Sequence, residues 1–323
     1  MGLKKATACI RRNKRFLITA HTNLEGDALG SELGFYHLVR SMGKEAVIIN
    51  EDSLPYGYEF MPQASVIKKF NKRLWGMKFD CFVILDCSDL KRCGDVARLA
   101  SGAKTTLNID HHISNEKFAD INWVDPKASS CSELIYRLYK ALDVPFDRDT
   151  ATALYTGILA DTGSFRYTNT TWVTHKIASE LLKYGPDVSA IYRNVFENSL
   201  FSDLKLLAGI LPTIKRDASG RIAWFEIENR MLKHRQLHLD LSERLLSFAR
   251  SIKDIKVAVI FKENLKAKGE IRINFRSQGE VDVNRIASFF GGGGHKTASG
   301  ATVKGKLKTV ARKVLARIKE ELK

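Results

Sequence analysis

Short apolar runs alternate along the first half of the chain with stretches whose apolar residues recur at helical spacing. The run at 15–20 stops at the polar cluster that begins with His21, and 27–42 then carries Leu29, Leu33, Tyr36, Leu38 and Val39 at roughly helical intervals. That order predicts strand, loop, helix. It returns downstream: 46–49 reads as a strand, 78–85 as a strand ending at Asp86, and 105–109 as a strand ending at Asp110. Residues 130–142 and 150–159 read as helices, the second running into Asp161, and 174–184 as a third that stops at Gly185-Pro186. Apolar strands separated by helices predict a mostly parallel sheet covered on both faces. In such a sheet, ligands bind beyond the carboxyl ends of the strands.

After a semi-polar helical stretch at 188–211 the pattern changes. Residues 222–227, 255–261 and 270–275 are strand-like, 239–249 is helical between the first two, and a basic helix at 309–322 closes the chain. The expected architecture is α/β, a mostly parallel-sheet domain with a second, smaller α+β domain. The expected ranges are 1–190 for the first domain, 191–220 for a helical connector and 221–323 for the second domain, the change of character falling near residue 205. No internal repeat or low-complexity tract is visible.

Charge narrows the choice of partner. A formal net charge of +16 on 323 residues calls for an anionic partner, whether nucleic acid, a nucleotide or an acidic surface. Cys9, Cys81, Cys87, Cys93 and Cys131 are odd in number and form no C-x-x-C pair, which argues for a reducing compartment and against a disulfide scaffold or zinc ribbon. The basic N-terminus lacks the apolar core of a signal peptide, and no run of apolar residues is long enough to span a bilayer, so the expectation is a cytoplasmic protein without a membrane partner.

The chemistry gathers where the strands should end. His21, Glu25 and Asp27 lie on one strand-to-helix loop, with Gly26 and Gly30 read as permitting tight turns. A plain reading would have Glu25 and Asp27 cap the next helix. Asp86 follows five apolar residues, and its bland role is an Asx-turn or helix cap. Asp110-His111-His112 is more specific, because adjacent histidines point in different directions: one imidazole can bind metal while its neighbour meets substrate, with Asp110 holding the ligating ring. Two structural histidines are the alternative. Asp161 sits at the wrong end of a helix dipole for a carboxylate, an objection that a bound cation removes. Carboxylates with some imidazole suit Mn or Mg better than a thiol-selecting metal. The carboxylates outnumber the needs of one ion, so two ions sharing a bridging carboxylate, with a water or hydroxide between them as nucleophile, is the economical arrangement. No Ser-His-Asp or Cys-His arrangement stands in a nucleophile-elbow context.

The second domain contributes Arg276-Ser277 and the run Gly291-Gly292-Gly293-Gly294-His295. Four glycines are costly as filler and make sense where backbone amides approach an anion. A simple turn is the bland alternative, and the Gly-Lys-Ser/Thr ending of a nucleotide-binding P-loop is missing. Arg276 is suited to a bidentate phosphate contact.

These motifs together resemble the DHH phosphoesterases with a C-terminal DHHA1 domain, and within them the bifunctional oligoribonuclease and pAp phosphatase group, or nanoRNases. The resemblance rests on 21–31, 83–86, 108–112, 157–165, 275–277 and 291–300. It implies that His21, Glu25, Asp27, Asp86, His111 and Asp161 are metal ligands, with Asp86 bridging. It further implies that Asp86, Asp110 and His112 are catalytic, and that His112, Arg276, Ser277, Gly292, Gly293, Gly294 and His295 contact substrate. Glu25 departs from the aspartate usual in the family, which puts the metal preference of that position in doubt.

The resemblance implies two Mn2+ ions, with Mg2+ or another divalent ion as the alternative. It implies hydrolysis of very short single-stranded RNA from the 5' end, conversion of adenosine 3',5'-bisphosphate (pAp) to AMP, and a homodimer. Two readings stand against it: a soluble cyclic or linear dinucleotide phosphodiesterase of the same superfamily, and a non-catalytic nucleotide or nucleic-acid binding module.

Overall fold

The computed structural model describes residues 2–232, 241–264 and 267–322. The chain divides into two compact units, Met1–Asn198 and Ser199–Lys323.

The first unit begins with helix α1 (Gly2–Arg12) and strand β1 (Arg15–Thr19), followed by α2 (Gly26–Ser41), β2 (Glu45–Asn50), β3 (Ile67–Lys69), β4 (Phe79–Leu85), β5 (Ala103–Asp110) and β6 (Ile121–Val124). Four helices complete it: α3 (Cys131–Leu142), α4 (Arg148–Asp161), α5 (Trp172–Leu182) and α6 (Val188–Phe196). The six strands lie in the order β3-β2-β1-β4-β5-β6, and every pairing is parallel. Along β4, Cys81, Val83 and Leu85 enter one buried cluster with α2, α3 and α4, while Phe82 and Ile84 enter another under the 3-10 segment Leu90–Gly102. A strand buried on both faces is apolar at every position, which explains the uninterrupted run before Asp86.

Chain order runs outward from β1 to β2 and β3 on one side, then from β4 to β5 and β6 on the other. The reversal falls between β1 and β4, where the loops after adjacent strands diverge and leave a crevice. His21 and Asp86 follow these two strands.

The predicted strands at 15–20, 46–49, 78–85 and 105–109 are all present. β3 and β6 escaped prediction because three- and four-residue edge strands carry too little periodicity. The helices at 150–159 and 174–184 begin earlier than their apolar spacing, at Arg148 and Trp172, because Asp147 and Thr171 cap them by accepting from the Thr150 and Thr174 amides.

Gly26 and Gly30 do not serve turns. Both lie in α2 with no left-handed backbone, and a Cβ at Gly30 would meet the Ala153 carbonyl of α4 at 2.5 Å. A Cβ at Gly157 of α4 would lie 2.9 Å from Asp27 Oδ1. The glycines let α2 and α4 approach closely enough to bury Asp27.

The second unit comprises α7 (Phe201–Ile210), β7 (Lys215–Arg216), β8 (Ile222–Ile227), α8 (Asn229–Leu232), α9 (Leu241–Ser251), β9 (Val257–Glu263) and β10 (Glu270–Ser277), then α10 (Val283–Phe289), β11 (Gly293–Gly294), β12 (Ala298–Lys304) and α11 (Leu307–Glu321). Its sheet has the order β11-β12-β10-β9-β8-β7, antiparallel except for the parallel β8–β9 pair. Residues of α10 and α11 cover one face, and those of α7 and α9 the other. This is the predicted smaller α+β domain. Positions 239 and 240 of the helix expected at 239–249 lie outside the described residues. The helical stretch expected at 188–211 is two helices, α6 and α7; Ile191 belongs to the core of the first unit and Leu207 to that of the second.

Candidate metal centre

His21, Asp86 and the Asp110-His111-His112 segment follow β1, β4 and β5, three neighbouring parallel strands, so their side chains converge at one end of the sheet. Asp27 joins them from the first turn of α2 and Asp161 from the last residue of α4. His111 Nε2 lies 3.5 Å from Asp86 Oδ1, 3.8 Å from Asp161 Oδ2 and 3.9 Å from Asp27 Oδ2. His21 Nε2 lies 3.5 Å from Asp86 Oδ2 and 3.8 Å from Glu25 Oε1. Asp27, Asp86 and His111 bring ligand atoms within 4.8 Å of one another, as do Asp86, Asp110 and His112. Asp86 is common to both groups.

The residues fit a divalent cation pair. Asp86 Oδ1 is buried and accepts no hydrogen bond, an arrangement costly for a carboxylate unless a cation takes that lone pair. His21 Nδ1 lies 2.7 Å from the Thr22 carbonyl, which places the proton on Nδ1 and leaves Nε2 toward Asp86.

Asp27 does not cap its own helix. Its Oδ2 accepts from the Cys131 amide at 2.6 Å and its Oδ1 from the Ser132 amide at 2.9 Å, so it holds the N-terminus of α3 across the core. Glu25 is at the N-cap position of α2 without a side-chain cap bond, and its side chain is 70 % exposed. It stands at the rim of the cluster.

Asp110 was expected to hold the metal-binding ring, and it holds the other one. Its Oδ1 accepts from His112 Nδ1 at 2.7 Å, whereas His111 Nδ1 lies 3.4 Å from the Ala128 carbonyl. The rings diverge because β5 ends at Asp110 and successive side chains leave in different directions.

Proton affinities follow from this crowding. Burial raises Asp27 to about 6, with Asp86 adding to the effect. Burial would also raise Asp86, but the imidazoles of His111 and His21 outweigh it and hold the carboxyl well below the usual range. Burial lowers His21, yet Asp86 prevails and lifts it to about 9. Burial pushes Asp161 well up, against the opposing pull of His111. Such mutual perturbation by burial and neighbouring charge is characteristic of functional sites.

Two of the loops hold strained backbone. Asp86 adopts φ 51°, and Gly163, Ser164 and Phe165 form a left-handed run at 55°, 60° and 62° directly after Asp161. For Phe165 this is costly, and such outliers persist where surrounding structure over-determines them. The run turns the chain back so that Asn169 Nδ2 donates to Asp161 Oδ2 and to the Asp161 carbonyl, both at 3.1 Å.

Sequence reasoning missed Asn169 and two other supporting groups. Asn115 Nδ2 donates to Asp110 Oδ2 at 2.6 Å. Glu32, fully buried in α2, accepts from Asn50 Nδ2 at 2.9 Å, while Asn50 Oδ1 accepts from the Ala20 amide at 3.0 Å, just ahead of His21. The available signal was proximity in sequence, since Asn115 and Asn169 lie within eight residues of Asp110 and Asp161.

In the second unit Arg276, on β10, donates to Glu243 Oε2 at 2.6 Å. Ser277 is buried and donates to the Val281 carbonyl at 2.7 Å, a structural use of its hydroxyl. Gly293 and Gly294 form β11 against Gly300 and Ser299 of β12, and a Cβ at Gly292 would meet the Gly300 carbonyl at 2.1 Å. The Gly291 and Gly292 amides close the end of α10. His295 begins the turn into β12, its amide donating to the Ala298 carbonyl at 2.7 Å. Close approach of backbone to backbone therefore explains the run through Gly292. The charge is unevenly shared: residues 199–323 hold 26 of the 52 Lys and Arg but 13 of the 36 Asp and Glu, and so 13 of the 16 net positive charges.

Residues 15–158 match the DHH family N-terminal domain, and residues 229–323 match the DHHA1 domain. The chain is 30 % identical over 307 residues to the bifunctional oligoribonuclease and PAP phosphatase of Thermus thermophilus, covering 94 % of this chain and 89 % of that protein. To the protein of the same description from Bacillus subtilis it is 32 % identical over 294 residues, covering 89 % and 88 %. The crystal structure of an exopolyphosphatase-related protein from Bacteroides fragilis superposes with a TM-score of 0.85 at 30 % identity, covering 98 % of this chain and 94 % of that one. With the His and Asp ligands gathered around Asp86, these similarities carry a two-metal phosphoesterase activity, and the chain belongs to the DHH phosphoesterases that bear a C-terminal DHHA1 domain.

Proposed function

We propose that the protein is a Mn-dependent phosphohydrolase that degrades very short single-stranded RNA from the 5' end and converts pAp to AMP. The reading is carried by the near full-length similarity to oligoribonuclease and PAP phosphatase proteins. The ligand set supports it, since carboxylates and imidazoles with no thiolate favour Mn or Mg.

Divalent ions bound here supply activation of water and neutralisation of the phosphoryl oxygens. The residues of the chain supply the rest. His21, Glu25, Asp27, Asp86, His111 and Asp161 would hold the ions. Asp110, whose own proton affinity burial would raise but His112 holds low, keeps the Nδ1 proton of His112 in place. His112 Nε2 is then the atom that donates to the leaving oxygen. Arg276, the glycine run and His295 take the phosphate and nucleotide end of the substrate, within the more basic half of the chain, while the buried Ser277 hydroxyl supports the strand end through the Val281 carbonyl. The enzyme works as a homodimer in the cytoplasm, a reducing compartment that suits its five buried, unbridged cysteines.

The test is a panel of end-labelled RNAs of two to twenty-four nucleotides, pAp, linear and cyclic dinucleotides and pyrophosphate, each with Mn, Mg or chelator. Turnover of pAp and of the shortest RNAs, with Mn preferred, is the expected result. Preference for a cyclic dinucleotide, or turnover of nothing, would replace this reading with one of its two rivals. Light scattering on the purified protein checks the dimer.

A further inference from the structure

Arg92 lies at the start of the 3-10 segment Leu90–Gly102 that follows Asp86 and β4, and it is joined to the metal centre from two sides. Its carbonyl accepts from the Thr22 amide at 2.7 Å, tying it to the loop of His21 and Asp27. Its Nη1 lies 3.4 Å from Ser88 Oγ, and the Ser88 carbonyl accepts from the Glu116 amide at 2.9 Å in the segment after His112. The guanidinium is thus half-buried among the loops that carry the ligands. Some other guanidiniums of this unit are held away from the centre: Arg137 pairs with Asp125 and Glu133, Arg98 with Asp95 and Arg15 with Asp80, while Arg166 folds back onto the Gly163 carbonyl. Among the described residues Arg92 forms no ion pair.

A cation in that position opposes the binding of two further cations. Coulomb repulsion of this kind is a net cost to the site unless an anion lies between the charges. A phosphoryl group bound to divalent ions keeps oxygens that the ions do not neutralise, and a planar guanidinium is the side chain best matched to them.

We propose that Arg92 is a substrate-binding residue that contacts a non-bridging oxygen of the phosphoryl group being cleaved. Nothing in the sequence singled it out, and it lies in the same unit as the metal ligands, unlike Arg276. The inference deepens the phosphoesterase reading and rests on it. It also separates two phosphate-recognition duties: Arg276 holds an end of the substrate, and Arg92 holds the phosphorus at which bonds change.

The experiment measures Mn content, thermal stability, inorganic phosphate binding to the Mn-loaded protein, and pAp and dinucleotide kinetics for wild type, Arg92→Ala and Arg92→Lys. The expected result for Arg92→Ala is phosphate affinity and kcat/KM lower by about ten- to a hundredfold, with Mn content and melting temperature unchanged. Arg92→Lys recovers part of the loss, because it restores charge without the planar fork. Unchanged phosphate affinity in Arg92→Ala would overturn the proposal, as would a loss that appears only together with lost Mn or lost stability. Failure of the wild type to bind phosphate would overturn it too. If the wild type turns over neither pAp nor RNA while Arg92→Ala still loses phosphate affinity, the substrate reading fails and the role of Arg92 stands.

Discussion

Asp110 holds the ring of His112, Oδ1 to Nδ1 at 2.7 Å, and leaves His111 to face Asp27, Asp86 and Asp161. One carboxylate at the end of one strand thereby fixes one imidazole and leaves its neighbour to the acidic cluster. His112→Ala is expected to lower kcat by about two to four orders of magnitude while Mn content is unchanged. Asp110→Asn, which loses the carboxylate that fixes the His112 ring, is expected to lose most of the same activity. Retention of full kcat by His112→Ala, or loss of Mn from it, would place His112 outside the proton-transfer role.

Asp86 is the ligand common to both groups of the centre. Asp86→Ala is expected to abolish turnover of every substrate and to reduce Mn binding, with the secondary structure intact by circular dichroism. A variant that keeps more than about a tenth of the wild-type rate in Mn is incompatible with a two-ion mechanism of this kind.

Glu25 stands at the rim with an exposed side chain, where one methylene more or less is accommodated without repacking. Glu25→Asp is therefore expected to keep activity and to change the Mn-to-Mg preference. Side-by-side metal titrations of the two forms check this, and an inactive but folded aspartate variant would remove Glu25 from the ligand set.

Metal binding competes with protons. His21 at about 9 and Asp27 at about 6 are protonated below those values in the metal-free protein, and a ligand must shed its proton to bind. Mn affinity is expected to rise between pH 6 and pH 9, by up to about tenfold per pH unit from His21 alone, with proton release measurable by calorimetry in buffers of different ionisation enthalpy. Affinity independent of pH across this window would contradict the cluster of ligands.

Glu32 offers a stability test away from catalysis. Burial raises it from 4.5 to about 8, and the Asn50 amide recovers only part of that cost. Its folded-state proton affinity exceeds the unfolded one, so the folded state holds the extra proton between these values and stability falls as pH rises from about 4.5 to about 8. The loss is of the order of several kcal/mol for a group so deeply buried. In chelator, Glu32→Gln is expected to show a flatter dependence of melting temperature on pH and to exceed the wild type near pH 8. Parallel curves for the two proteins would show that Glu32 does not titrate in this range.

The sequence by itself determined strands β1, β2, β4 and β5, helices α2 to α5, and the identity of the charged clusters at the strand ends. The physical reason is that the stretch of a parallel strand buried on both faces favours apolar residues, so its end is marked where the first buried charge appears, as at Asp86 after Cys81 to Leu85. Edge strands β3 and β6 were invisible because they are short and solvated on one side. Convergence of the four ligand-bearing segments could not be read from spacing either, since it follows from the reversal of strand order between β1 and β4. Only the tertiary structure decided which histidine Asp110 holds, because neighbouring residues at a strand end leave in directions set by the following loop. It also decided that Asp27 reaches across to the α3 amides, that Gly30 and Gly157 exist for helix contact, and that Gly292 fits against β12. Each depends on atoms far apart in the chain, and local propensity carries no information about such distances.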